Sequence, residues 1–385
     1  MKQLLDKYAK KLVRAGLADE GAPLVGGLDV DLLWNRPDPA RRELERLFDG
    51  LAINSLLFAR PAEPYRSLID YLARRAERAV RPGDSETRTF MHEIPVVRAF
   101  DAGEMIAALK RRKSVIIPGR GVLAWGAVSP EQAFVSFSSV CFACFVKFFC
   151  DYLSDARAGR LSEEERRVFR HAVTLLPALP EEPPSLMTGP LASEGEVRRA
   201  ISEAGRLTVD YGLVDSFFGN ISYRSGNTLY ISQTGSSLDE LEESIDPCPL
   251  DGSSCVAITA SSEFAAHREL VLCTGMNAVL HGHPKFAVVL SMDCDREPCR
   301  AREECHLRCP EERFLGQVPI VSGEVGTGPH GLCHTVPPAM EGRQAVMVYG
   351  HGLFTMGRDD FNDAMARLLA VERLCREEYF RRAAG

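Results

Sequence analysis

Residues 277–290 read "NAVLHGHPKFAVVL", an apolar run broken by two histidines two positions apart. In an extended chain alternate side chains share a face, so His281 and His283 point the same way. Two imidazoles on one face are either a surface feature or half of a metal site. The rest of the chain decides between them.

An internal comparison is the most informative. "RRELERLFDGLAINSLLFARP" (41–61) matches "HRELVLCTGMNAVLHGHP" (267–284), and "EIPVV" (93–97) matches "QVPIV" (317–321). "KSVIIPGRGVLAWGAVSPEQAF" (113–134) matches "QAVMVYGHGLFTMGRDDFNDAM" (344–365): apolar strand, G-x-G, apolar triplet, Gly, then a helix. Even the starts pair, "KKLVRAGLADE" with "GRLTVDYGLVDS". The order is the same in both halves, so a tandem duplication is expected, each copy mixing strands with helices. A Pro-rich stretch, 175–192, separates a first domain (1–174) from a second (193–385), whose opening helix takes Ser193 and Glu196 as a capping box. Where the second copy has His281, His283 and His351, the first has Phe58, Arg60 and Arg120. Phenylalanine cannot ligate a metal, and arginine stays protonated. Three imidazoles missing together from three separated places point to one three-histidine site in the second copy.

Bulk properties narrow the class. A chain of 385 residues is long enough for two domains, and 45% hydrophobic with 26% charged residues is a globular composition. Mean hydropathy is −0.11, net charge is −7 and the pI is about 5.8. No basic stripe stands out, which argues against nucleic acid as the main partner. No continuous apolar run reaches the roughly 18 residues of a membrane span, so no membrane is expected. The start, "MKQLLDKYAKKLVRAGL", reads as an amphipathic helix rather than a signal peptide. A cytoplasmic protein follows, whose twelve cysteines are thiols or metal ligands. Cys141, Cys144 and Cys150 lie in the apolar "SSVCFACFVKFFCDYL" and read as small buried hydrophobes.

The second half resembles the class II aldolase/adducin family, through "FGNIS" (218–222), "SQTGSSLDEL" (232–241), "SSE" (261–263), "HGHP" (281–284) and "YGHGLFTMG" (349–357), in that order. The resemblance covers about 190–385, with the first half a degenerate framework. It implies an α/β fold class: two tandem α/β/α domains, each with a central, mostly antiparallel sheet flanked by helices. It also implies a zinc ion on His281, His283 and His351, with Glu263 as acid/base. Three neutral imidazoles leave a fourth position open for a substrate oxygen, as catalytic zinc requires. A carboxylate beside it can remove a proton next to a carbonyl, giving a metal-stabilised enediolate. Substrate phosphate falls, by resemblance, to Gly219, Asn220, Thr234, Gly235, Ser261 and Ser262. Glycine admits close backbone N–H groups, and hydroxyls add neutral donors.

A zinc-dependent, aldolase-type lyase acting on a small phosphorylated sugar or related carbonyl compound is the leading expectation. An epimerase or dehydratase of the same family, or a non-catalytic adducin-like interaction protein, is the alternative. Glu at the base position leans toward aldolase or dehydratase, since the epimerases of the family have Asp there. The tyrosine that protonates the aldehyde oxygen in the fuculose enzyme has no counterpart in "SGEVGTGPHGLCHT", where Glu324, His330 and His334 are the available acids and Glu324 is taken as the second catalytic residue. Family enzymes form four-fold rings, so two chains with alternating live and silent domains are expected to form a pseudo-four-fold homo-oligomer. The insertion 293–314, "DCDREPCRAREECHLRCPEERF", brings Cys294, Cys299, Cys305 and Cys309 within sixteen residues. Their closeness suggests a second metal, structural zinc or an iron–sulfur cluster, with free or redox-active thiols as the other reading.

Overall fold

The computed structural model describes residues 1–385 except 216, 254–257, 297, 298, 300, 302, 303 and 385. The chain divides into two units, Met1–Pro177 and Ala178–Gly385. The boundary falls just inside the Pro-rich stretch expected to be a linker. From Leu186 onward that stretch is packed on the second unit. Leu186 N–H donates to Asn362 Oδ1 at 2.8 Å and Gly189 N–H to Asp360 Oδ2 at 2.9 Å, while Leu191 is buried.

In the first unit the strands are β1 (Leu24–Leu28), β2 (Leu32–Trp34), β3 (Ser55–Ala59), β4 (Ala79–Val80), β5 (Ile94–Pro95), β6 (Ser114–Ile117) and β7 (Gly121–Gly126). Five of them form a sheet in the order β2-β1-β3-β7-β6, antiparallel throughout, and β4 pairs with β5. Around them lie α1 (Lys2–Arg14), α2 (Arg41–Gly50), α3 (Tyr65–Arg75), α4 (Ser85–Met91), α5 (Ala102–Leu109), α6 (Pro130–Arg157) and α7 (Glu163–Thr174). Helix α1 is amphipathic as its sequence predicts, burying Leu5, Tyr8 and Leu12 at helical spacing. One expectation needs correcting. Helix α6 is long and apolar enough to cross a membrane by length and composition, although Lys147 and Asp151 interrupt its apolar run. Its most apolar 18-residue stretch is 83% buried within the protein, so its apolar faces are met by core rather than lipid. Cys141 and Cys144 lie in that core, and Cys150 is half-buried.

The second unit holds β8 (Asn220–Ser225), β9 (Thr228–Ser232), β10 (Ile245–Pro249), β11 (Ala278–Gly282), β12 (Arg313–Leu315), β13 (Val318–Val321), β14 (Ala345–Val348) and β15 (Gly352–Gly357). They make one sheet in the order β10-β9-β8-β11-β15-β14-β13-β12, in which β13 and β14 are parallel and the other pairs antiparallel. Its helices are α8 (Glu194–Asp210), α9 (Phe264–Thr274), α10 (Lys285–Met292), α11 (Leu332–Met340) and α12 (Asn362–Ala384). Ser193 and Glu196 form the capping box of α8. Leu270 and Val271 of α9 and Val336 and Met340 of α11 pack with Val279, Val346, Phe354 and Met356 of the sheet. Helices α10 and α12 pack on each other and on β14 and β15.

The two sheets correspond strand for strand over five positions. In β6–β7 the ladder runs from Ser114 opposite Ala124 to Ile117 opposite Gly121; in β14–β15 it runs from Ala345 opposite Thr355 to Val348 opposite Gly352. Phe58 of β3 stands between Leu24 and Leu123, as His281 of β11 stands between Asn220 and Phe354. The parallel step recurs too, as a bridge between Val96 and Ile116.

Candidate metal centre

Every residue of β11 is buried, so the alternation of a strand sends His281 into the protein beside its neighbours on β8 and β15. His283 follows just past the strand end. His351 sits in the turn joining β14 to β15, where its N–H donates to Val348 O at 3.1 Å. Glycine makes this approach possible. A Cβ on Gly352 would lie 2.5 Å from Gly282 O and 2.7 Å from His281 Cε1. The three rings converge, with ligating atoms all within 4.8 Å of one another, and all three residues are buried.

Tautomer and charge follow from the surroundings. His281 Nδ1–H donates to Leu353 O at 3.2 Å, which turns its Nε2 lone pair inward. That nitrogen faces His283 Nε2 at 3.0 Å. Burial first, then the neighbouring His281 and His351, push the His283 pKa well below its ordinary value, so the ring is neutral. Two ring nitrogens that close repel unless a proton or a cation lies between them. The donor set fits a zinc ion: three buried imidazoles converge with their ligating atoms within 4.8 Å of one another, and a polar face remains on one side.

That side carries Glu263, the last residue before α9. Its Oε1 accepts from His351 Nε2–H at 2.8 Å, and Oε2 lies 3.4 Å from His281 Nε2. Burial pushes the carboxyl up, but the His281 and His351 imidazoles and the hydrogen bonds from His351 and Asn220 outweigh burial and hold it well below the usual carboxylate range. It is an ionised carboxylate within reach of the metal position. The nitrogen of His351 that bonds it is one a metal would take, so metal binding releases that proton.

Sequence reasoning missed what stands behind Glu263. Asn220 Nδ2 donates to Glu263 Oε2 at 2.9 Å, and Asn220 Oδ1 accepts from His267 Nε2–H. His267 Nδ1 in turn accepts from the Ser222 hydroxyl at 2.7 Å. Burial depresses His267 to about 3, which keeps it neutral and consistent with that tautomer. The available signal was spacing: His267 stands four residues after Glu263, one helical turn on.

Expected phosphate-binding segments lie together beside Glu263. Ile221 N–H donates to Ser232 Oγ at 3.2 Å, Thr234 N–H to Thr259 O at 3.0 Å and Ser261 N–H to Ser232 O at 3.0 Å, tying the three turns to one another. Thr234, Gly235 and Ser262 are exposed, Gly219 is half-buried, and Ser261 and Asn220 are buried. Glu324 is exposed in the loop after β13, and its backbone bonds to His330 and Leu332. Cys294, Cys299, Cys305 and Cys309 are half-buried free thiols of the insertion. In the first unit the Phe58 ring of β3 packs on Phe100 at 5.3 Å, and the Arg120 guanidinium lies 5.4 Å over Phe100.

Residues 199–379 match the family described as Class II Aldolase and Adducin N-terminal domain. The second unit of the chain is a class II aldolase/adducin domain. Two curated relatives of this domain are similar across nearly their whole length. L-fuculose phosphate aldolase of Methanococcus maripaludis is 26% identical over 176 residues, 45% of this chain and 91% of that one. Methylthioribulose-1-phosphate dehydratase of Gluconobacter oxydans is 29% identical over 197 residues, 47% of this chain and 89% of that one. Among solved structures, L-fuculose-1-phosphate aldolase from Thermus thermophilus aligns at 26% identity over 49% of this chain and 96% of that one, with a TM-score of 0.40. Both curated relatives are named for sugar-phosphate chemistry. The first unit lies outside the matched residues.

Proposed function

We propose that the aldolase/adducin domain is a zinc-dependent lyase that cleaves a carbon–carbon bond in a small phosphorylated sugar or a related carbonyl compound. The observation that carries this reading is the ionised, buried Glu263 lying 2.8 Å from a ring nitrogen of His351, within one converging histidine triad. A zinc ion on His281, His283 and His351 supplies a Lewis acid for the substrate carbonyl. Glu263 removes the proton from the carbon beside that carbonyl in the condensation direction and returns it in cleavage. Asn220 holds the carboxylate in place, so the phosphate is left to the backbone at Gly219 and Gly235 and to Thr234, Ser261 and Ser262. Glu324, at the exit of β13, is the carboxyl assigned to the second proton transfer.

Loss of water is the second reading, and the 29% identity to a dehydratase favours it. The same proton abstraction at Glu263, followed by expulsion of a hydroxyl one carbon further on, gives that outcome. An adducin-like role without chemistry fits less well, because the triad and Glu263 are all present.

We further infer that the first unit is a degenerate tandem copy of the second. The matching ladders of β6–β7 and β14–β15, and the filling of its site by Phe58, Phe100 and Arg120, support this. Two chains, each with one live and one silent unit, then assemble as a homo-oligomer. The cytoplasm, where thiols stay reduced, is the compartment this reading implies.

The test is a screen of sugar phosphates with the zinc-loaded full chain, following cleavage, epimerisation and water loss, with Glu263→Gln as control. Cleavage that depends on Glu263 supports the lyase. Water loss alone establishes the dehydratase. Turnover undiminished in Glu263→Gln overturns the assignment of the base.

A further inference from the structure

Helix α10 reaches from one metal-facing histidine to another, and side chains outside the triad hold it at both ends. It starts one residue after His283, with Pro284 as its N-cap. Proline fixes φ at that step, so the position of the helix is passed directly to the His283 backbone. The first N–H groups of a helix have no partner within it. Here one side chain of another helix takes two of them. Phe286 N–H donates to Glu372 Oε1 at 3.0 Å, and Ala287 N–H donates to Glu372 Oε2 at 2.9 Å. Glu372 is buried on α12, at the positive end of the α10 dipole. Burial pushes its pKa up to about 7, and the two N–H groups oppose that rise. The Phe286 ring adds a second tie to α12, with its centroid 5.2 Å from that of Tyr379 and 5.6 Å from that of Phe380.

The far end of α10 meets the turn that carries His351. Ser291 is fully buried and donates its hydroxyl to Val288 O at 2.7 Å. That fixes the proton, so a lone pair of the same oxygen accepts from Gly350 N–H at 2.8 Å. Gly350 immediately precedes His351 and has φ +60°, the left-handed region. The N–H groups on either side of it go to backbone oxygens, Tyr349 to Val321 O at 2.9 Å and His351 to Val348 O at 3.1 Å. Ser291 thus ties the backbone of this turn to α10. We propose that α10 is a splint for the metal position: Glu372 holds its start and with it His283, and Ser291 holds Gly350 and with it His351. Both are positioning residues that act through the histidine backbones. The proposal rests on the zinc reading of the triad and extends it to α12, whose carboxylate sets the helix from which two ligands hang.

The test reads metal binding rather than turnover. The zinc-loaded full chain is titrated with a chromophoric chelator at about pH 8, above the Glu372 pKa of about 7. Cobalt(II) replaces zinc for the visible spectrum. Ser291→Ala removes one oxygen and leaves the Gly350 N–H without its acceptor. It is expected to lower affinity roughly 10–100-fold and to shift the cobalt ligand-field bands, which follow coordination geometry. Glu372→Gln keeps the shape of the side chain but offers one acceptor to two N–H groups, and the same direction of change is expected. Urea unfolding of the metal-free variants separates positioning from packing. Reduced stability with wild-type affinity and spectrum marks a purely structural contact and overturns the splint. So does wild-type affinity in Ser291→Ala at unchanged stability. A wild-type chain that takes up neither metal overturns the triad reading itself and this proposal with it, a failure distinct from the other two.

Discussion

Asn220 and Glu263 are joined by a 2.9 Å hydrogen bond between two buried side chains. The amide acts as a bracket. Its nitrogen holds the carboxylate, and its oxygen is itself held by His267, which is oriented by Ser222. Such outer partners tune a site without touching substrate. The variant Asn220→Ala is expected to retain metal while turnover falls roughly 10–100-fold. Loss of a donor also raises the Glu263 pKa, so the acidic limb of the pH–rate profile moves to higher pH. Metal analysis with a pH–rate profile checks both; unchanged position of that limb would refute the bracket.

Gly352 is where the turn bearing His351 crosses the other two imidazoles. An added Cβ meets Gly282 O at 2.5 Å and His281 Cε1 at 2.7 Å, and neither a backbone oxygen nor a ring stacked on Phe354 can step aside cheaply. The variant Gly352→Ala is expected to weaken zinc binding at the triad at least tenfold while the secondary structure persists. Competition with a chromophoric chelator reads the affinity, and circular dichroism reads the fold. Wild-type affinity in this variant would mean that the turn is not tightly seated.

His267 predicts a pH dependence of stability. Its folded pKa is about 3 against an ordinary 6.5, the cause being burial. Between those values the unfolded chain binds more protons, so this contribution is complete above about pH 6.5 and is lost as pH falls toward 3. By pH 5 the loss amounts to about 2 kcal/mol, at about 1.4 kcal/mol per pH unit. Urea unfolding of the metal-free protein at pH 7 and pH 5 is expected to show a smaller acid loss in His267→Gln than in wild type. Equal losses would remove His267 as the source.

Much of this centre is legible in the sequence, and the reason is local. Strand alternation places His281 and His283 together, and G-x-G turns mark both hairpins; comparison of the two halves singles out His351 as their partner. The bracket behind Glu263 was not legible. Asn220 and His267 belong to β8 and α9, 47 residues apart, and meet only because the sheet sets β8 beside β11. Composition also understated α6. Lys147 and Asp151 split its apolar run in sequence, but they lie one turn apart on a 28-residue helix whose most apolar 18-residue stretch is 83% buried, and they pair with each other at 2.9 Å. The Pro-rich stretch read as a linker because proline marks irregular chain; what the sequence did not show is that side chains of α8 and α12, and the loop before α12, hold its backbone at Leu186, Met187 and Gly189.

The central claim is that three histidines of the second unit hold a zinc ion beside Glu263. Anomalous diffraction from crystals of the full chain, collected on both sides of the zinc absorption edge, tests it most directly. The account predicts a peak about 2.0–2.1 Å from ring nitrogens of His281, His283 and His351, which disappears in His281→Ala and persists in Glu263→Gln. Zinc-soaked crystals with no peak at that position would contradict it.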